Sequence, residues 1–210
     1  MILPDSGKEL HLDIFKLSST SANLASIEND IRKCITANVT NIGPYIHGNR
    51  FTAFIRPPGE SMEFEGGVNS GIGELEHEVF HNWFGRGVKP ATQNDGWIDE
   101  ALAMYYTGPD YCAVKPFDMS EPVIVLSPNN PFNRAGCGAA YTAGPRFFAG
   151  LAAAVGLENL RSYISSFYKE NCGHLITTRQ LEAYLINKSG KKELADYFKR
   201  FVYGLKDIEK

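Results

Sequence analysis

Leu10, Leu12, Ile14 and Leu17 alternate with polar positions, a period of two that predicts a strand near the start of the chain. Ile27, Ile31 and Ile35 then recur every four residues, which predicts a helix capped by Ser26 with Asn29 three places on. Residues 50–56 read as a buried strand, stopped by Pro57, Pro58 and Gly59. Residues 62–70 suit an edge strand that Gly66 and Gly67 would bend or end. From residue 74 the period lengthens: Leu75, Val79, Phe80, Trp83 and Phe84 keep one side of a helix apolar through residue 84. A second helix begins near Trp97 and carries Glu100 through Tyr106. Residues 108–138, rich in proline, glycine and asparagine, read as a long loop, and the remainder as a series of helices. These cover residues 145–155, 157–168, a third opened by the capping box of Thr177 and Gln180 and ended at Gly190, and 192–203. The pattern predicts an α+β chain, with mixed sheet and helices in a first lobe at residues 1–95 and a mainly helical second lobe at 96–210.

Composition narrows what such a chain does. Its 210 residues, 43% of them apolar, suffice for one sizeable core or two small lobes, and the formal net charge of −3 offers no basic stripe for nucleic acid or an anionic membrane. No apolar run reaches the length of a membrane span, and the first ten residues lack the basic and apolar regions of a signal peptide. Cys34, Cys112, Cys137 and Cys172 show no zinc-ribbon spacing and read as free buried thiols, with Cys112 and Cys137 the pair to test for a bridge.

The chemistry concentrates at His77, Glu78 and His81. On a helix, positions four apart share a face about 6 Å apart in rise, so both imidazoles can reach one ion, and Glu78 stands beside a metal-activated water as general base. A core helix that happens to contain two histidines has the same pattern, and a third ligand separates the readings. Glu100 supplies it from a second helix, with eighteen residues between it and His81, and leaves the fourth position of a tetrahedral zinc for water.

With that spacing the sequence resembles the gluzincin metallopeptidases. Trp83 beside the second histidine, and the run from Trp97 to Glu100, make it similar to the aminopeptidase N family and the related glycyl aminopeptidase family. His81-Asn-Trp-Phe-Gly85 looks more like the former, and Gly85-Arg-Gly-Val-Lys-Pro90 with the pair Tyr105 and Tyr106 more like the latter. Thermolysin-type endopeptidases differ by a carboxylate four residues past the metal glutamate, where Met104 stands here, so another group must orient the histidine. The resemblance implies a thermolysin-like two-lobed catalytic domain, a zinc cofactor, peptide substrates, and flanking β and helical domains outside this chain. It implies that Tyr141, in Tyr141-Thr-Ala-Gly144, stabilises the oxyanion, and that Glu63, in a partial match to a Gly-x-Met-Glu-Asn strand, binds the substrate ammonium, with Glu65 and Glu74 as rivals. An aminopeptidase is the leading expectation; an endopeptidase of the same fold and a non-catalytic zinc-stabilised binding domain are the alternatives.

Overall fold

The computed structural model describes residues 1–108, 114–127 and 138–205, which fall into two compact units. The first takes Met1–Val88 with Tyr168–His174, and the second Lys89–Phe167 with the chain from Leu175 onward.

In the first unit a four-stranded sheet has the order β1 (His11–Lys16), β2 (Arg50–Ile55), β4 (Gly67–Ser70), β3 (Met62–Phe64). The first three are parallel, and β3 runs antiparallel on the edge, with Glu63 opposite Val68. Helix α1 (Leu24–Asn41) makes the crossover between β1 and β2 and buries Ile27, Ile31, Ile35 and Val39, the stripe its four-residue period requires. Its cap is Asn23, whose side chain accepts from the N–H groups of Ala25 and Ser26, so Ser26 lies inside the helix instead of capping it. Strand β2 is buried on one face alone: Phe51, Ala53 and Ile55 turn inward, whereas Phe54 stacks on exposed Phe15 of β1 outside. Residues 62–70 form two strands, because Gly66, at φ 76°, turns the chain back on itself. Only the first of the two is an edge.

Helix α2 is shorter than its apolar period suggests, spanning Leu75–Phe80. The residues after it leave the helix for a tight turn. A short 3-10 turn, Ile72–Glu74, leads into it.

The second unit holds α3 (Trp97–Thr107), α4 (Gly138–Thr142), α5 (Gly144–Val155), most of α6 (Leu157–Asn171), α7 (Thr178–Ser189) and α8 (Leu194–Phe201). A two-stranded parallel pair joins β5 (Lys89–Pro90) to β6 (Leu175–Ile176). Helix α7 has the expected ends: the Thr177–Gln180 capping box and Gly190 in the left-handed region. Its core is aromatic, with Trp97 edge-on to Phe147 and stacked on Phe148, and Phe147 packed against Tyr197 and Phe198. Within the loop after α3, the N–H groups of Ile124 and Leu126 bond to the carbonyls of Arg200 and Val202, pinning its described part to the end of α8. Cys112 and Cys137 lie outside the described residues; Cys34 and Cys172 are free thiols. No described helix is long and apolar enough to cross a membrane.

Candidate metal centre

His77 and His81 face each other one helical turn apart. Their Nε2 atoms are 3.0 Å apart, and the rings stand nearly perpendicular with centroids at 4.7 Å. His81 is 2% exposed, and its Nδ1 lies 3.0 Å from the carbonyl oxygen of Phe84. A carbonyl can only accept, so Nδ1 carries the proton and Nε2 keeps its lone pair, directed at the His77 nitrogen. The Phe84 backbone carbonyl thus helps to orient this histidine. Glu78, between the two histidines in sequence, is 6% exposed and largely withdrawn from bulk water.

The turn that follows α2 brings the Phe84 carbonyl into place. Asn82 and Trp83 donate their N–H groups to Val79 and Phe80, three residues back, and the N–H groups of Arg86 and Val88 reach the carbonyls of His81 and Trp83. Two glycines permit this. Gly85 adopts φ 122°, and at Gly87 a Cβ would come within 2.8 Å of the Asn82 carbonyl and 2.7 Å of the Trp83 carbonyl. The apolar periodicity continues through residue 84 while the backbone leaves the helix at residue 81, because the carbonyls are taken by the turn.

Three side chains of this segment fix it within the first unit. Asn82, fully buried, accepts from the Gly66 N–H at 3.0 Å and donates to the Gly67 carbonyl at 3.3 Å, joining the histidine turn to the β3–β4 hairpin. Trp83 donates from Nε1 to the Gly43 carbonyl at 2.8 Å. Arg86 pairs with the carboxylate of Glu63 at 3.1 Å. Glu63 therefore sits on the edge strand, directed to the same face as Val68, with its charge partly matched; Glu65 and Glu74 are exposed.

In the second unit Glu100 stands one turn inside α3, its N–H held by Asp99. Tyr141 is on α4 and 40% exposed. Gly144, which closes the Tyr141-Thr-Ala-Gly144 stretch, has a packing reason: a Cβ there would meet the Cβ of Ala101 at 2.3 Å. Helix α5 can approach α3 this closely, right beside Glu100, only without a side chain.

Among the described residues, one group of ligand-type side chains could hold a metal: His77, His81 and Glu100 offer atoms that all lie within 4.8 Å of one another. Two imidazole nitrogens and a carboxylate are a zinc donor set. A tetrahedral ion with Zn–N bonds of about 2.0–2.1 Å places two nitrogens about 3.3 Å apart, close to the 3.0 Å seen for the histidine pair. Glu63 is not a member of this group. Sequence reasoning missed the supporting parts: the Phe84 carbonyl, Asn82, Arg86, and the side chains around the start of α3.

No known family profile matches the chain, and no curated protein matches it. Solved structures do. The M1 zinc metallopeptidase from Deinococcus radiodurans is similar over 97% of this chain, with TM-score 0.71 and 19% identity. Legionella pneumophila aminopeptidase A, in complex with aspartic acid, is similar over 95% with TM-score 0.73 and 16% identity. Leukotriene A4 hydrolase from Saccharomyces cerevisiae is similar over 87% with TM-score 0.65 and 17% identity. At these identities the likeness is one of fold. The chain spans 51%, 27% and 36% of those three chains, respectively.

Proposed function

We propose that the chain is a zinc-dependent peptide hydrolase with a thermolysin-like two-lobed catalytic domain, acting as an aminopeptidase. The observation that carries this reading is the grouping of His77, His81 and Glu100, in the fold of proteins whose names are those of zinc metallopeptidases and aminopeptidases. His77, His81 and Glu100 hold the metal. Zinc, when bound, supplies a Lewis acid and lowers the pKa of the water it holds. Glu78 takes the proton from the attacking water, a role suited to a carboxylate shielded from solvent beside the two histidines. Tyr141 donates its hydroxyl to the carbonyl oxygen as that oxygen gains charge. Glu63 on the edge strand holds the substrate ammonium and so fixes which bond is presented.

One observation favours a second reading, an endopeptidase or a peptidase of relaxed register. Arg86 already neutralises part of the Glu63 charge, which lessens what is left for an ammonium. Metal analysis of protein purified without chelator tests the common premise, with one zinc per chain expected; its absence would sink both readings. A peptide and its N-acetylated twin then separate them. An aminopeptidase cuts only the free form, and equal cutting of both removes the role of Glu63.

A further inference from the structure

A polar cluster buried in the second unit ties the start of α3 to the start of α7. The carboxylate of Asp95 is saturated: Oδ2 accepts from the N–H of Thr92 at 3.1 Å and its hydroxyl at 2.7 Å, and Oδ1 accepts from the N–H of Thr178 at 2.7 Å and its hydroxyl at 2.8 Å. The Thr178 oxygen also accepts Nε1–H of Trp97 at 3.0 Å. Trp97 is the first residue of α3 and Thr178 the first of α7, and both are buried. A backbone bond from the N–H of Ala91 to the carbonyl of Ile176, 2.7 Å, adds a further tie just upstream.

Apolar packing of α3 is less directional than hydrogen bonding and resists a slight roll of the helix about its axis less sharply. Such a roll matters for Glu100. Its carboxylate lies about 6 Å from the helix axis, so a 10° rotation carries it about 1 Å. Metal–ligand distances tolerate about 0.2 Å. The hydrogen bond from Trp97, three residues before Glu100, to Thr178 is directional and opposes this motion.

We propose that Asp95 and Thr178 are positioning residues for Glu100, holding the rotation and the starting point of α3 so that its carboxylate can complete the metal centre. The inference rests on the reading of Glu100 as a zinc ligand, and it assigns the metal centre a support that does not touch the metal. Asp95→Asn sets an amino group against the N–H of Thr92 or of Thr178. Thr178→Val removes the hydroxyl at nearly constant shape, whereas Thr178→Ser keeps it. Tyr203→Phe is the control: it deletes a half-buried hydrogen bond to Glu182, 2.6 Å, farther along α7.

The test is competitive zinc titration of the full chain and the four variants, beside melting temperatures of the metal-free proteins. The expected result is a zinc Kd about tenfold higher in Asp95→Asn and Thr178→Val, the low end of the range for groups that support metal ligands. Thr178→Ser and Tyr203→Phe keep the original Kd, although Tyr203→Phe also melts earlier. An unchanged Kd in folded Thr178→Val overturns the proposal, as does a rise in Tyr203→Phe that matches its loss of melting temperature. Should Asp95→Asn not fold, the Thr178 pair decides alone. If the unsubstituted chain binds no zinc, the reading of the metal centre itself falls and takes this inference with it.

Discussion

Glu78 and Tyr141 divide the proposed chemistry between a proton acceptor and a hydrogen-bond donor, and each can be removed by one atom or group. Glu78→Gln preserves size and leaves His77, His81 and Glu100 intact. Zinc content is therefore expected to stay at the unsubstituted level while kcat falls by about 10²–10⁴. Retained turnover would move the base elsewhere. Tyr141→Phe is expected to lower kcat by about 10²–10³ with little change in KM, because the hydroxyl engages an oxygen that is charged only in the transition state. At this scale the sequence displayed the donors, since histidine and carboxylate spacing on helices follows from 3.6 residues per turn. It did not display the orienting group. Phe84 acts on His81 through a carbonyl that every residue has, so no side-chain signal marked it. Asp95 and Thr178 were equally hidden, being 83 positions apart.

Helix lengths and helix contacts carry the next set of consequences. The periods of Ile27–Ile31–Ile35 and the capping box at Thr177 foretold α1 and α7 well, because both rest on local geometry. Apolar period failed at the end of α2, where the glycines at 85 and 87 let the chain turn while Trp83 and Phe84 still face inward. It also failed at β5, β6 and α4, which are two to five residues long and too short for any period to register. The approach of α5 to α3 is set by one glycine. Gly144→Ala would force a Cβ into Ala101, and a loss of about 1–3 kcal/mol in unfolding free energy is expected from urea titration. Gly138→Ala, at a position with open space for a Cβ, is expected to be neutral. Equal effects at the two positions would mean that α5 relaxes away from α3 without cost.

Across the whole molecule, burial of weak acids sets a limit at alkaline pH. Burial, with help from Glu76 and Asp30, pushes the Cys34 thiol from 9.0 up to about 12. Burial also raises the hydroxyls of Tyr45 and Tyr168 well above their ordinary 10.0. In the folded chain these groups keep protons that the unfolded chain gives up, so the folded state binds more protons above about pH 9. Stability is complete below that pH and is lost as pH rises toward 12. The midpoint of urea unfolding is expected to fall steadily from pH 9 to 11, and part of the tyrosinate absorbance to appear only with the unfolding transition. Full tyrosinate absorbance in a chain that is still folded would contradict this.

The Asn82 clamp has a consequence for the order of folding. It joins the histidine turn to the β3–β4 hairpin across only 15 to 16 residues, whereas the bond from Tyr168 to the Pro44 carbonyl closes 124. Loop-closure entropy makes the longer closure costlier by about 1.8 kcal/mol. The two histidines and the β3–β4 hairpin can thus find each other while the rest of the chain is still searching, before the end of α6 closes its bond to Pro44.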